Sequence, residues 1–459
     1  MALNGHHPWI RFTDRSSALE PNPPERSGGC AVVDLDGDAR PEILCTTVGG
    51  PNRLYRASGT RWRDCASPAL ADPAAHTVGV SVADADGDGR MDVYLLSTGA
   101  DRLLLNRGDD VFEDAFGGRP QRNLGAGQSA AWLDTLSDGR LSACVSNLGT
   151  PTRLYFNDGS GAWPDRAAHY GLQRVTDGRG LVCVDALGEG GTDLFLANES
   201  GPNLFFRALA GRYVECAGEL GLADPEARTR CVAVADALGD GRAAFVLGSD
   251  DGPHRLMVWD ARARRYVDRA DAEFAAPSRI RSIAVADFDN DGVEEVLMIN
   301  LGQPNRMFKI LDKAQLLECH IPELELPDGH GVGLGVGDLN GDGFLDLLVA
   351  HGEDAAQPRV LLFGRPNGQH WLRVQPLTAA GAPALGARVT VTVDTPAGPR
   401  NRTRWIDSGG GSCQQEPIAH FGLGAAQRAR DVRVQFTTGE IHYLRELGAG
   451  QVARTQARG

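Results

Sequence analysis

The chain contains 459 residues, carries a formal net charge of −14 at pH 7 and is 42% hydrophobic. This acidity argues against non-specific binding to nucleic acids, which depends on an excess of basic side chains. A membrane-spanning helix is not expected either, because no stretch approaches the roughly 18 consecutive apolar residues that cross a bilayer.

The first ten residues, Met1 to Ile10, contain no basic segment followed by an apolar run. A secretory signal peptide has both, so either this is a mature sequence or the protein stays inside the cell. The initiator Met favours a cytoplasmic location. The nine cysteines are odd in number and do not fall in close pairs, and several lie in apolar segments. We therefore expect reduced, buried thiols. We also expect a monomer.

A nine-residue acidic motif recurs along the chain at intervals of 50 or 51 residues. Its first copy runs from Asp34 to Glu42 and reads Asp-Leu-Asp-Gly-Asp-Ala-Arg-Pro-Glu. A fixed period near 50 residues is typical of radial or stacked β repeats, and the copies lie between short apolar segments. Each motif is therefore expected to be a loop between two antiparallel strands. Loops one to seven begin at Asp34, Asp84, Asp134, Asp185, Asp236, Asp287 and Asp338.

Four of the seven loops carry acidic or amide side chains at positions 1, 3, 5 and 9 of the motif. Calcium prefers roughly six to eight hard oxygen ligands, and glycine allows a tight turn around the ion. These four loops therefore predict Ca²⁺ sites. Loops three, four and five have leucine at position 3, and simple hairpin turn chemistry explains them better. The expected ligands are Asp34, Asp36, Asp38 and Glu42 in loop one, Asp84, Asp86, Asp88 and Asp92 in loop two, Asp287, Asp289, Asp291 and Glu295 in loop six, and Asp338, Asn340, Asp342 and Asp346 in loop seven.

Each repeat contains further short apolar segments after its loop, and their spacing predicts four strands per repeat. An aromatic residue two positions before an acid marks the outermost strand, for example in Trp62-Arg-Asp64 and Trp163-Pro-Asp165. The pattern predicts an all-β fold with a seven-bladed β-propeller. The seventh repeat lacks such an outer strand, whereas Phe12-Thr-Asp14 is left over at the start of the chain. We expect this segment to complete the seventh blade and close the ring.

The period ends near Gly368, and alternating apolar and polar segments follow. Separated by Gly, Pro and Asp residues, they predict a small, sandwich-like all-β domain. We place the propeller at residues 1–366 and the C-terminal domain at residues 367–459. The tail, residues 451–459, is expected to be frayed.

The repeats resemble the FG-GAP/VCBS β-propeller family, whose calcium sites have the same Asp-x-Asp-Gly-Asp-Gly pattern. Ser408-Gly-Gly-Gly-Ser-Cys-Gln414, His420-Phe-Gly-Leu-Gly424 and Phe436-Thr-Thr-Gly-Glu440 resemble the ASPIC/UnbV domain. The combination is similar to that of the cartilage acidic protein family and its bacterial relatives. It implies a calcium-dependent binding or adhesion protein, exported in most members, and fixes no ligand. The chain departs from the family at Ser412-Cys413, where Tyr-Leu-Ser is usual, and in the three degenerate loops.

A ring of polar residues is expected around the channel mouth that faces away from the acidic loops. Residues just before each inner strand and just after each second strand share this face. Arginine suits carboxylate or phosphate groups, and histidine can transfer protons near neutral pH. Alternatively, these strand ends are polar only because they are exposed to solvent. The candidate ligand-binding residues are Gln128, Arg179, Arg230, Arg281, Asn198 and Asn300, and the candidate catalytic residues are His76, His330 and His351.

Two functions are compatible with this ring. The first is a non-catalytic binding module that takes a small molecule or a protein at its axial face or in the groove between the propeller and the C-terminal domain. The alternative is an intracellular enzyme, a cyclase or isomerase of a small anionic organic substrate, in which arginine holds the substrate and histidine acts as acid or base. The lack of a nucleophile, Walker or zinc motif favours the first function, and the lack of a signal peptide favours the second.

Overall fold

The structure, a computed structural model, describes residues 10–119 and 122–458 and consists mainly of β-strands, which confirms the expected all-β class. Residues 1–9, on which the predicted cytoplasmic location rests, lie outside the described residues. Within the two described ranges, no helix is long and apolar enough to cross a membrane.

The inner strand of each repeat pairs antiparallel with the strand that follows its acidic loop. Neighbouring inner strands contact one another in chain order, and the last contacts the first, so they form a closed ring. We interpret each repeat as one blade of a propeller. The inner strands are Ser27–Val33, Thr77–Ala83, Ala126–Leu133, Val175–Val184, Thr229–Ala235, Ile280–Ala286 and Gly331–Gly337, and the second strands are Glu42–Thr47, Asp92–Ser97, Ser142–Pro151, Asp193–Asn198, Ala244–Ser249, Glu295–Asn300 and Asp346–His351.

Third and fourth strands extend the sheets outward. Repeats three and four share one sheet, because Ser142–Pro151 also pairs with Val175–Val184. The outer strand predicted at Trp163-Pro-Asp165 is wrong: a single bridge joins Tyr155 to Asp165, and Pro164 has no N–H to extend it. The third strands are Arg53–Ser58, Arg102–Asn106, Arg153–Tyr155, Leu204–Leu209, Arg255–Asp260, Arg306–Leu311 and Val360–Gly364, and the fourth are Arg61–Asp64, Phe112–Asp114, Arg212–Glu215, Arg265–Asp268 and Gln315–Cys319.

The sheet of the seventh repeat takes its fourth strand from the start of the described chain. Phe12–Asp14 pairs antiparallel with Val360–Gly364, and the Phe12 ring is buried against Phe288. The short strand Leu19–Glu20 then pairs in parallel with the outer strand of the first repeat. One-turn helices lie in the connections, namely the α-helices Pro68–Ala71, Ala167–Tyr170, Ala217–Leu220 and Pro322–Glu325 and the 3₁₀ turns Ser16–Ala18 and Asp312–Ala314.

The C-terminal part folds into two sheets that pack on the propeller. One hydrophobic cluster joins Tyr94 and Trp132 of the propeller to Val389 and Phe436. The expectation of a frayed tail is wrong, because residues 451–456 form a strand parallel to the first strand of this part. One sheet contains Ala419–Gly424, His370–Leu377 and Gln451–Gln456, and the other contains Gly398–Trp405, Arg388–Thr395, Arg428–Gln435 and Ile441–Gly448.

Residues 408–416, which we call the axial segment, leave the C-terminal part and enter the centre of the ring. The N–H of Trp132 donates to Ser408 Oγ (2.8 Å), and the N–H of Val232 donates to the carbonyl of Gly410 (2.9 Å). These partners lie on inner strands of different repeats. The glycine-rich segment therefore fills the channel from the side of the acidic loops and satisfies backbone groups that line it.

Gln414 anchors the axial segment by its side chain. The N–H of Val82 donates to Gln414 Oε1 (2.6 Å), and Gln414 Nε2 donates to the carbonyl of Val82 (2.9 Å). The Gln414 side chain is fully buried. It reproduces the hydrogen bonds that a further strand would make to the inner strand of the second repeat.

Candidate functional site

The carboxylates of loops one and two converge at one end of the propeller. In loop two, Asp84 accepts backbone N–H donors from Gly87 (2.8 Å) and Gly89 (2.9 Å), which winds the turn around it. Positions 1, 3 and 9 then each present an oxygen, and these atoms lie within 4.8 Å of one another. The converging groups are Asp34, Asp36 and Glu42 in loop one and Asp84, Asp86 and Asp92 in loop two.

The electrostatics of these two loops fit a cation. Burial, assisted by Asp36, raises the pKa of Glu42 to about 7, and burial also raises the pKa of Asp92 to about 7. Within the described residues, no basic side chain forms an ion pair with Asp84 or Asp92. Arg107 pairs with Asp86 (2.6 Å), which is one of the converging groups, and lies 4.0 Å from Asp88. In loop one, half-buried Arg56 touches Asp36 (2.9 Å) and Glu42 (3.1 Å) from the rim. Hard oxygen donors in this arrangement suit Ca²⁺.

Position 5 of both loops lies outside the converging groups. Asp38 Oδ1 accepts the N–H of Arg40 (2.8 Å), and Asp88 Oδ1 accepts the N–H of Arg90 (2.9 Å). Asp88 also forms an ion pair with the Arg90 guanidinium. The structure therefore brings together three of the four expected carboxylates in each loop.

In loop six, a lysine ammonium lies among the carboxylates. Asp287, Asp289 and Asp291 converge within 4.8 Å, but Lys309 Nζ lies 3.0 Å from Asp289, 2.9 Å from Asp291 and 2.7 Å from Glu295. Burial opposes a charge on Lys309, yet the carboxylates, Glu295 foremost, raise its pKa. The converging oxygens could hold a metal ion, and the contacts place the Lys309 ammonium among them. A Ca²⁺ ion and the ammonium cannot share this space, so the calcium ion predicted for loop six requires Lys309 to move away from these oxygens.

Loop seven is engaged by the C-terminal part. Arg373 Nη1 lies 3.3 Å from Asp338 and also forms an ion pair with Glu416 of the axial segment. Asp346 accepts the N–H groups of Leu339 and Gly364, both at 2.9 Å. At position 5, Asp342 accepts the amide of Asn340 (3.1 Å). A guanidinium thus supplies the positive charge that a metal ion brings in a standard loop.

The opposite end of the channel is a shallow cup of about 340 Å³. Its wall includes Gln128, Arg179, Arg230 and Arg281, which the sequence spacing predicted to share this face. Gly411 and Ser412, at the tip of the axial segment, lie at its base. The channel is therefore blocked, and the axial mouth is open on one side only.

Three acids that the sequence interpretation missed pair with these arginines. Arg179 pairs with Glu199 (2.5 Å), and Arg281 pairs with Asp250 (2.8 Å) and Glu353 (2.5 Å). Glu199 stands one position after the ring candidate Asn198, and Glu353 stands two positions after the ring candidate His351. Asp250 follows Ser249, which ends the second strand of its repeat as Asn198 does in the preceding one, so the repeat pattern could have indicated these acids.

Arg230 is the most weakly paired of the three cup arginines. Its contacts to Asp250 and Glu199 are 3.3 and 3.5 Å long. Burial foremost, and then the neighbouring charges of Arg179 and Arg281, lower its pKa. An anionic group of a ligand beside Arg230 would stabilise its charged form.

The remaining ring candidates do not line the cup. The Asn198 amide donates to the carbonyl of Ser200, and the Asn300 amide donates to that of Pro304, so both brace their own turns. His76 is exposed, and His330 Nδ1 is bound to Asp354 (2.5 Å). His351 is buried and bound to the Pro358 carbonyl, and burial lowers its pKa. Among the described residues, no histidine lines the cup.

Comparison with known proteins agrees with this architecture. The FG-GAP-like repeat family matches residues 34–95 and 236–298, the FG-GAP repeat family matches 330–361, and the ASPIC and UnbV family matches 378–457. Human cartilage acidic protein 1 is 33% identical over 94% of this chain and 72% of its own length, and the protein of that name from Xenopus tropicalis is 32% identical over 94% and 73%. The structure of the BP39L lectin from Burkholderia pseudomallei, 14% identical, superposes with a TM-score of 0.54 over 75% of this chain and 98% of the lectin. That likeness concerns the fold alone.

Proposed function

Since the chain belongs to the cartilage acidic protein family, with FG-GAP repeats followed by an ASPIC and UnbV domain, we propose that it is a calcium-binding β-propeller that recognises a ligand at its axial mouth. The convergence of three carboxylates in each of loops one and two carries the calcium part of the proposal. Without a cation, their mutual repulsion opposes folding. Bound calcium acts as a structural cross-link at the end of the propeller opposite the cup.

We expect two Ca²⁺ ions per chain. One is held by Asp34, Asp36 and Glu42 and the other by Asp84, Asp86 and Asp92. Loop six has Lys309 in place of the ion, and loop seven has Arg373 against its first carboxylate.

Calorimetric titration of chelator-treated full-length protein with Ca²⁺ tests this number. The variant Asp86→Ala should lose one of the two binding events, because it removes a ligand oxygen that converges with Asp84 and Asp92. The matched variant Asp289→Ala in loop six should keep both. Retention of both events by Asp86→Ala, or loss of one by Asp289→Ala, would contradict the assignment.

The ligand surface is proposed to be the cup, for a small molecule with an anionic group. The ion-paired cluster at the mouth contains the arginines 179, 228, 230 and 281 against the acids 199, 250 and 353, so one positive charge is uncompensated within this cluster. A volume of about 340 Å³ lies at the small end of ligand sites. The axial segment closes the base of the cup, so a bound molecule would contact a defined surface there.

Inorganic phosphate is a suitable probe of this surface. It should raise the melting temperature of the wild type and shift NMR signals of residues around the cup. The variant Arg230→Gln should lose both effects, whereas Arg212→Gln, on an exposed outer strand, should retain them. Equal responses of the two variants would show that the cup does not bind the anion.

A further inference from the structure

Two cysteines from distant parts of the chain meet inside the channel. Cys30 lies on the inner strand of the first repeat, and Cys413 lies on the axial segment. Ala31 and Gln414 form a parallel bridge, and the N–H of Gln414 donates to the Cys30 carbonyl (2.9 Å). The residues that precede the bridge, Cys30 and Cys413, are therefore directly opposite each other.

Their sulfur atoms point in the same direction. A Cβ built on Gly333 would lie 3.3 Å from Cys413 Sγ, and one built on Gly335 would lie 3.4 Å from Cys30 Sγ. Both glycines belong to the same neighbouring strand, and their missing side chains leave room for the two sulfur atoms. Opposite residues of paired strands have Cα atoms about 5 Å apart, within the range of a disulfide bond.

Cys413 is held as a nucleophile. Its sulfur accepts N–H donors from Cys30 (3.4 Å) and Leu334 (3.3 Å). Hydrogen bonds from the Cys30 thiol and these backbone groups lower the pKa of Cys413 to about 6, against the opposing effect of burial. Thiolates are the reactive form of cysteine.

Cys413 directly follows two residues of the cup in the chain. These residues, Gly411 and Ser412, line the cup, and 4% of the Cys413 surface is exposed. We therefore expect a small oxidant to reach the Cys413 sulfur from this side. Hydrogen peroxide is little larger than water, whereas glutathione does not fit beside a side chain this enclosed. Cys65 is the most exposed of the nine cysteines, but its thiol donates a hydrogen bond to the Leu54 carbonyl. Within the described residues, no second thiol lies opposite it.

We propose that Cys413 is a peroxide-reactive thiol and that Cys30 is its resolving partner. The Cys413 thiolate attacks one peroxide oxygen, the O–O bond breaks, and a sulfenic acid and hydroxide form. The Cys30 sulfur then attacks the sulfenic sulfur, and the hydroxyl leaves as water with the Cys30 proton. The two thiols lose two electrons in total, and the peroxide is reduced to two waters. The resulting disulfide joins residues 383 positions apart and fixes the axial segment in the channel.

Peptide mapping of the full-length protein under non-reducing conditions tests the proposal. After exposure to hydrogen peroxide and alkylation, we expect a linked peptide that contains Cys30 and Cys413, two hydrogens lighter than its parts. The denatured protein should titrate with two thiols fewer than the nine it contains before oxidation.

Two variants separate the roles of the pair. Cys30→Ser should leave a sulfenic acid on Cys413 that dimedone traps, and Cys65→Ser should form the cross-link as the wild type does. Oxidation of Cys65 while Cys413 stays reduced would overturn the proposal. Direct conversion of wild-type Cys413 to a sulfinic acid without the cross-link would overturn it as well, and this result does not depend on whether Cys30→Ser folds.

Discussion

Replacing Lys309 with methionine removes the ammonium that loop six encloses. Nζ lies 2.7 Å from Glu295, 2.9 Å from Asp291 and 3.0 Å from Asp289, and the side chain is only 3% exposed. Water therefore screens these contacts little. Removing one partner of a buried charge network costs about 3–5 kcal/mol, because the other partners stay buried without compensation. We expect a loss of this size in the free energy of unfolding when a chelator is present.

Calcium should reverse the loss in this variant. Lys309→Met leaves loop six with converging carboxylates at positions 1, 3 and 5 and no ion in their centre. A cation that binds only the folded state stabilises it by about 4 kcal/mol at a free concentration roughly 1,000 times its dissociation constant. The variant should thus convert an internally neutralised loop into a third calcium site.

Urea denaturation and calorimetric titration, both with and without calcium, check this prediction. The expected results are three binding events in Lys309→Met against two in the wild type, and a stability difference that shrinks when calcium is added. The conservative control Lys309→Arg should retain charge and gain no site. If Lys309→Met binds two ions and calcium leaves its deficit unchanged, Lys309 does not take the place of a metal ion.

Two further predictions concern buried side chains of the propeller and channel. Burial lowers the pKa of His254 to about 4 from 6.5, so the folded state binds fewer protons than the unfolded chain, and stability should fall by up to about 3 kcal/mol as the pH drops from 6.5 to 4. The variant His254→Asn keeps an acceptor for the Ser249 N–H, because Asn203 accepts the N–H of Asn198 in the same way in the preceding repeat. This variant should flatten the pH profile of stability between pH 6.5 and 4. An unchanged profile would exclude His254 as its source. Gln414→Ala leaves the buried N–H and carbonyl of Val82 without partners and should cost about 2–3 kcal/mol in urea denaturation, whereas the exposed Gln456→Ala should cost little. A loss below about 0.5 kcal/mol would mean that water replaces the Gln414 amide.

The regular features of the fold were predictable from the sequence because the same pattern of acidic motif and apolar segments recurs in every repeat. The spacing of the acidic motif located every inner and second strand, and the same phase aligned Arg179, Arg230 and Arg281 on one face. A single copy would not have sufficed, since an Asp-Gly turn alone is ordinary hairpin chemistry.

Features without a period were not predictable in this way. The axial segment has three consecutive glycines and no alternation of apolar and polar residues, so nothing in its sequence indicates that it enters a channel. Its partners are backbone groups, which every residue possesses. The role of Lys309 could not be predicted from the sequence either, because it depends on the strand register that places Lys309 opposite Glu295 on the neighbouring strand.

The same reason explains why the sequence did not show the internal cations of loops six and seven. Position-by-position comparison of the loops finds complete ligand sets in loops six and seven. The cations that neutralise them come from elsewhere, Lys309 from the third strand of its repeat and Arg373 from the C-terminal part. Only the pairing of strands and the packing of the two parts bring them to the carboxylates.

The pairing of Phe12–Asp14 with Val360–Gly364 sets the order in which the protein can mature on the ribosome. Thr13 and its hydrogen-bond partner Arg365 are 352 residues apart. At a synthesis rate of roughly 5–20 residues per second, about 20–70 s pass between the synthesis of Thr13 and that of Arg365. The axial segment is made later still, so the channel is filled only after the strands that line it exist. Contacts this distant make folding slow, and the first strand remains unpaired throughout this interval.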